Sequence, residues 1–214
     1  MKITVLCVTR GAPRTDRFLS DLERLAQELR GQFVIALDGD ALPRVYDAKV
    51  LHVVSKGYFG SVLDEAVAAC DGEYILRIDD DERVSPAMFT WLMGESWHKA
   101  DNWSFPRQCF WQNEQQYLTT PPWYPDHQTR LSVKAKSGHR PLPHDPSLYG
   151  FGDWAPVAIE HHELLVKTFE ERWKFFQHLS RARGREMSDL EAQRWQPETW
   201  PDRITVAPYE EGAA

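Results

Sequence analysis

The chain has 214 residues, 42% hydrophobic and 27% charged, which suits one globular domain with a real core and excludes a disordered chain. Thirty-two acids against 25 bases give a formal net charge of −7, and this argues against nucleic acid as a partner, since non-specific binding needs a basic surface. A small phosphorylated ligand is not excluded, because it needs only local positive charge or a metal.

KITVLCV (2–8) is β-branched and apolar and predicts a buried strand. Thr15 or Asp16 can cap a helix through about Leu29, with Leu19, Leu22, Leu25, Ala26 and Leu29 on one face. QFVIAL (32–37) and KVLHVVS (49–55) predict the second and third strands. A glycine-containing loop, KGYFGS, precedes a helix from Ser61 through Cys70. EYILRI (73–78) is the fourth strand, and Ser85 with Pro86 then starts a helix strongly. Strands alternating with helices over the first hundred residues imply βαβ units and a mainly parallel sheet. Ligands of such sheets bind outside the carboxyl ends of the strands, which gathers Thr9, Arg10, Asp38, Lys56 and Asp79–Asp81 near one edge.

After residue 100 the pattern changes. DNWSFPRQCFWQN and QTRLSVKA predict strands of a mixed or antiparallel part, joined through the proline- and aromatic-rich turn TTPPWYPDHQ. Residues 138–156 predict a long loop, 168–183 an amphipathic helix, 186–195 a second helix, and APYEEGAA a frayed tail. No run approaches the roughly 20 apolar residues of a membrane-spanning helix, and MKITVLCVTRG is too short for a signal peptide. Cys7, Cys70 and Cys109 are far apart with no CxxC pair, so a reducing, cytoplasmic setting is the simplest, with peripheral membrane contact left open.

The strongest chemical signal is RIDDDERV (77–84), a hydrophobic strand running into Asp79, Asp80, Asp81 and Glu82. Like charges at contact repel by about 1 kcal/mol per pair even in water. A solvated turn with Asx bonds explains such a run, and so does a divalent cation. If the strand's alternation continues, Asp79 and Asp81 share one side, suited to Mg2+ or Mn2+, and Asp80 points to the other. His161, His162 and His144 are candidate further ligands, but no HxxxH spacing supports a zinc site. P-loop, GxGxxG and GxSxG motifs are absent.

The stretches VTRGAPRTDRFLSDLERLAQEL, IALDGD, GEYILRIDDDERVSP, YPDHQTRLSVK and IEHHELLVKTFEERWKFF, in this order, resemble family 2-type glycosyltransferases with the GT-A fold, of the short bacterial kind. The resemblance implies a Rossmann-like α/β domain spanning 1–214. Its nucleotide-binding half is 1–100, its acceptor-binding half 101–183, and 184–214 are a C-terminal helix and tail. It implies inverting, metal-dependent transfer of a sugar from a nucleotide-diphospho-sugar to a glycan, lipid-linked or small-molecule acceptor, with Mn2+ or Mg2+. Thr9 and Arg10 match the loop lining the nucleotide, Asp38 the nucleobase position, and Lys56 and Gly57 the loop near the donor. Asp79 matches the first acid of the DxD motif and Asp81 the metal-binding one. His161, with His162 as fallback, matches the late histidine near metal and pyrophosphate.

An inverting transfer also needs a general base beside the acceptor hydroxyl. Asp145 in PHDPS is the first choice and Asp126 in YPDHQ the second. Trp123, Tyr124 and Trp154 are candidate stacking faces for a sugar ring, and Arg130 reads as structural. Two rival readings use the same residues: a metal-dependent nucleotidyltransferase, and a non-catalytic GT-A domain that binds nucleotide-sugars or glycans.

Overall fold

The computed structural model describes residues 2–94, 96–137, 152–184 and 196–210. In chain order they form β1 (Ile3–Thr9), α1 (Asp16–Glu28), β2 (Gln32–Leu37), β3 (Lys49–His52), α2 (Leu63–Ala68), β4 (Tyr74–Arg77), β5 (Glu82–Val84) and α3 (Pro86–Met93). There follow β6 (Asn102–Cys109), β7 (Gln116–Leu118), β8 (Asp126–Val133), β9 (Asp153–Trp154), β10 (Ile159–His161), α4 (Glu163–Val166), α5 (Phe169–Arg183) and β11 (Val206–Pro208).

Among the described residues, one mixed sheet of nine strands runs in the order β3-β2-β1-β4-β8-β6-β10-β5, with β9 beside β6. The first four run parallel, as their alternation with helices predicts. β8 enters antiparallel to both β4 and β6, so the sheet continues into the second half of the chain. All seven residues of β1 are buried, because both faces of this central strand are covered. One core layer packs Leu19, Leu22 and Leu25 of α1 against β1, β2 and β4. The opposite layer packs Leu63, Ala66 and Val67 of α2 against Leu6, Val8 and Val34. All three cysteines are buried.

Several local expectations differ from the outcome. β3 stops at His52 rather than Ser55, because the Ser55 N–H and hydroxyl leave the sheet to donate to the Asp38 carboxylate at 2.9 and 2.5 Å. Ser61 does not cap α2. Its hydroxyl instead donates to the Tyr58 carbonyl and accepts from the Lys56 N–H. Thr15 does not cap α1 with its side chain either, since its hydroxyl donates back to the Ala12 carbonyl. Ser85 does cap α3, accepting from the Met88 N–H at 3.1 Å. α5 opens on a Thr168–Glu171 capping box and closes at Gly184 in a left-handed conformation, φ 63°.

The tail expected to fray is in part a strand. β11 pairs with β7, and the Tyr209 hydroxyl donates to Glu160. Trp123 is 2% exposed against Cys109 and Leu118, so it is core and not a stacking face. Trp154 is 67% exposed and lies against His127. The helix expected over 186–195 and positions 138–151 of the expected loop, with His144 and Asp145, lie outside the described residues.

Candidate active site

β4 ends at Arg77, and a tight turn follows in which the Glu82 N–H donates to the Asp79 carbonyl at 3.0 Å. The turn breaks strand alternation. Asp79, Asp80 and Asp81 therefore do not split two to one across a sheet: all three line the same cavity, of about 140 Å3, at the carboxyl ends of β1 and β4. The expectation that Asp80 faces away from Asp79 and Asp81 is overturned.

The four acids are met by cations that arrive from distant segments. Arg130 on β8 donates to both Glu82 oxygens, at 2.9 and 2.6 Å, and to Asp79 at 2.6 Å. This confirms the structural reading of Arg130. Arg107 on β6 reaches Glu82 at 3.4 Å and clamps Asp126 through Nε at 2.7 Å and through Nη2. Arg77 lies 3.5 Å from Asp79. Lys167, just after α4, donates to Asp81 Oδ2 at 2.6 Å and to Glu163 Oε1 at 2.9 Å. The Thr9 hydroxyl donates to Asp80 at 2.6 Å and accepts the Gly11 N–H at 3.0 Å.

Titration follows from these contacts. Burial, then the Asp81 charge, pushes the Asp80 carboxyl up to about 6. Burial pushes Asp81 the same way, but the Lys167 ammonium outweighs it and holds Asp81 below the usual carboxylate value. Burial likewise raises Asp79, and Arg130 with Arg77 turns the shift downward. Lys167 is lowered by burial and raised further by Asp81, Glu163 and Asp80, so it stays protonated.

The other expected residues divide into two groups. Arg10 and Gly57 line a second cavity of about 470 Å3, which shares Asp80, Asp81 and Lys167 with the first. Arg10 is 3.7 Å from Asp38, whose carboxyl is raised by burial but held low on balance by the Ser55 donors and Arg10. Gly57 has φ 85°, so its backbone favours glycine, and a Cβ there would have to displace the His178 ring, which it meets at 2.4 Å. His161 lines the smaller cavity, with Nε2 3.7 Å from Asp81 Oδ1. Thr9, Asp38 and Lys56 line neither cavity.

His162 is turned away, stacked on Phe110 and 3.3 Å from Glu160. It belongs to a larger cavity of about 600 Å3 with Leu22, Arg83 and Tyr209, which contains none of the three aspartates. Size alone therefore does not choose the site. Lys167, Arg107 and Glu163 were not singled out from sequence. The one local signal was the Glu163–Lys167 spacing of four, an ordinary helix pair.

The residues do not fit a preformed divalent-ion site. Among the described residues no three of His, Cys, Asp and Glu are grouped to hold a metal. Asp79 is committed to Arg130 and His162 to another cavity. Between Asp81 and Glu163, where an ion would take oxygen ligands, sits the Lys167 ammonium.

No family model matches the chain, and no curated protein matches it. Among solved structures, S. aureus TarS aligns with 91% of this chain and 41% of its own, at 12% identity and TM-score 0.50. The fold is GT-A-like. The likeness to TarS extends to the fold alone. TarS 1–349 in complex with UDP aligns over 91% of this chain and 68% of its own, with 12% identity and TM-score 0.47. The 2-C-methyl-D-erythritol 4-phosphate cytidylyltransferase of Thermus thermophilus aligns over 100% and 90%, with 12% identity and TM-score 0.41. Among the described residues, no helix is long and apolar enough to cross a membrane.

Proposed function

We propose that this chain binds a nucleotide-diphospho-sugar in the 470 Å3 cavity and transfers its sugar, with inversion, to an acceptor hydroxyl. The observation that carries the reading is the lining of that cavity. Tyr58, Phe59 and Phe175 offer flat apolar faces, and Arg10, Arg14, Lys167 and Lys174 offer positive charge, at the carboxyl edge of a GT-A-like sheet. Aromatic faces suit a base or sugar ring, and the cations suit a diphosphate.

In the reaction, the acceptor oxygen bonds to the anomeric carbon as the bond from that carbon to the diphosphate oxygen breaks. The bonding pair leaves with the nucleoside diphosphate, and the acceptor proton goes to a carboxylate base. Asp126 is already held by Arg107 in a buried ion pair, so Asp145 is the preferred base. Arg10 is assigned to the nucleoside end, with Asp38 behind it as its ion partner, and Asp80 and Asp81 to the diphosphate end. The Mn2+ or Mg2+ implied by the resemblance finds no assembled ligand set, so no step is routed through it. Trp154 is the acceptor-side stacking face, as the exposed one of its group.

A thermal-shift screen of UDP-, GDP-, CDP- and dTDP-sugars against the four nucleoside triphosphates tests the reading. A shift with a diphospho-sugar and a smaller one with triphosphates supports it. A shift with triphosphates alone favours a nucleotidyltransferase.

A further inference from the structure

Lys167 stands where sequence resemblance puts a metal ion. Its Nζ bridges Asp81 Oδ2 and Glu163 Oε1 at 2.6 and 2.9 Å, and His161 Nε2 lies 3.7 Å from Asp81 Oδ1 and 3.9 Å from Glu163 Oε2. Asp81 and Glu163 hold the ammonium between two carboxylates, and the His161 ring stands beside both of them. The Lys167 side chain is 27% exposed and lines both cavities that hold Asp80 and Asp81. It is thus buried enough to be fixed and open enough to touch a ligand. The larger of these cavities has four basic side chains, Arg10, Arg14, Lys167 and Lys174, against three acidic ones, Asp80, Asp81 and Glu171. Without Lys167 three basic side chains stand against three acidic ones, and Asp81 loses its nearest cation.

We propose that the Lys167 ammonium is a built-in cation: it occupies the place between Asp81 and Glu163 and itself contacts the departing diphosphate, so donor binding needs no divalent ion. The inference rests on the nucleotide-diphospho-sugar reading for its ligand, but not for the competition between lysine and metal. Lysine suits the role because its charge is compact and carried on a flexible stem, free to shift from carboxylate to phosphate. Asp81, Glu163 and His161 are positioning residues for it. The ammonium keeps its proton throughout. Its part is to offset the charge that builds on the diphosphate oxygen as the bond to the sugar breaks.

The test compares wild type, Lys167→Met and Lys167→Arg in EDTA and in Mn2+. Mn2+ uptake is read by electron paramagnetic resonance, and UDP and GDP binding by calorimetry. Wild type is expected to take up no Mn2+ at this site and to bind UDP or GDP with a Kd within about twofold in the two conditions. Lys167→Met should lose about tenfold or more in EDTA. It should also gain one Mn2+, with recovered nucleotide binding, and lose that ion again when Asp81→Asn is added. Lys167→Arg should keep part of the EDTA binding. Stoichiometric Mn2+ in wild type, with nucleotide binding lost in EDTA, overturns the proposal. If neither nucleotide binds to any variant, the substrate reading fails, and the Mn2+ titrations still decide the place of Lys167. If Lys167→Met does not fold, wild-type Mn2+ uptake decides alone.

Discussion

The acid turn holds two pairs, Asp79 with Glu82 and Asp80 with Asp81, and these are neutralised by different means. The first pair is held by guanidinium groups, although Asp79 also lines the smaller cavity. Glu82 is 0% exposed and bonded through both oxygens to Arg130, itself 1% exposed, with Arg107 and Asp126 extending the network across β6 and β8. The second pair faces two cavities and meets a lysine and a hydroxyl. Planar, multiply bonded arginine holds geometry, whereas a lysine ammonium is a point charge that can change partners. The run is therefore one half scaffold and one half site, although its four residues are all acids.

The largest effect should come from the scaffold half. Arg130→Met leaves Glu82 buried without its main partner, and breaking a buried pair costs about 3–5 kcal/mol. Urea denaturation measures it, and a loss below about 1 kcal/mol would remove the distinction between the halves. Next in size, Asp81→Asn frees Lys167 from its shortest contact and should lower turnover about a hundredfold while stability changes far less. Equal losses of stability in these two variants would contradict the division.

A smaller effect sharpens the site half through pH. The Asp80 carboxyl, pushed up to about 6, holds a proton in the folded protein that the unfolded chain releases nearer pH 4. Its stabilising contribution is present on the acid side and is lost as pH rises through 6. Asp80→Asn is permanently neutral and can still accept from Thr9. Its advantage over wild type should be about 1–2 kcal/mol larger at pH 8 than at pH 4.5, in chemical unfolding at the two pH values. A constant difference between them would mean that Asp80 does not titrate there. Smallest of all, Arg10→Ala removes an exposed cation 3.7 Å from Asp38 and should weaken nucleotide-diphospho-sugar binding about fivefold by calorimetry, with Tm unchanged.

The scaffold of the fold was legible because its signals are local. β1 and β2 are continuous apolar runs, α1 repeats leucines at helical spacing, and α3 and α5 carry their own caps. β5, β10 and β11 were not legible, since a three-residue strand exists only through its pairing partner. The same holds for the site. The acid run announced itself, but the rule of alternating sides failed for Asp80 because the strand ends at Arg77 and the run is a turn. Its counter-charges lie 25, 48 and 86 residues away in Arg107, Arg130 and Lys167, beyond any spacing argument.

The proposed reaction is cleavage of a sugar from a nucleoside diphosphate at the acid turn and its cavity. It is tested most directly by identifying the phosphate product. Incubation of the chain with each diphospho-sugar should release nucleoside diphosphate, by transfer or slow hydrolysis, and Asp81→Asn should release about a hundredfold less. Release of inorganic pyrophosphate from a nucleoside triphosphate, with diphospho-sugars left intact, would contradict the account.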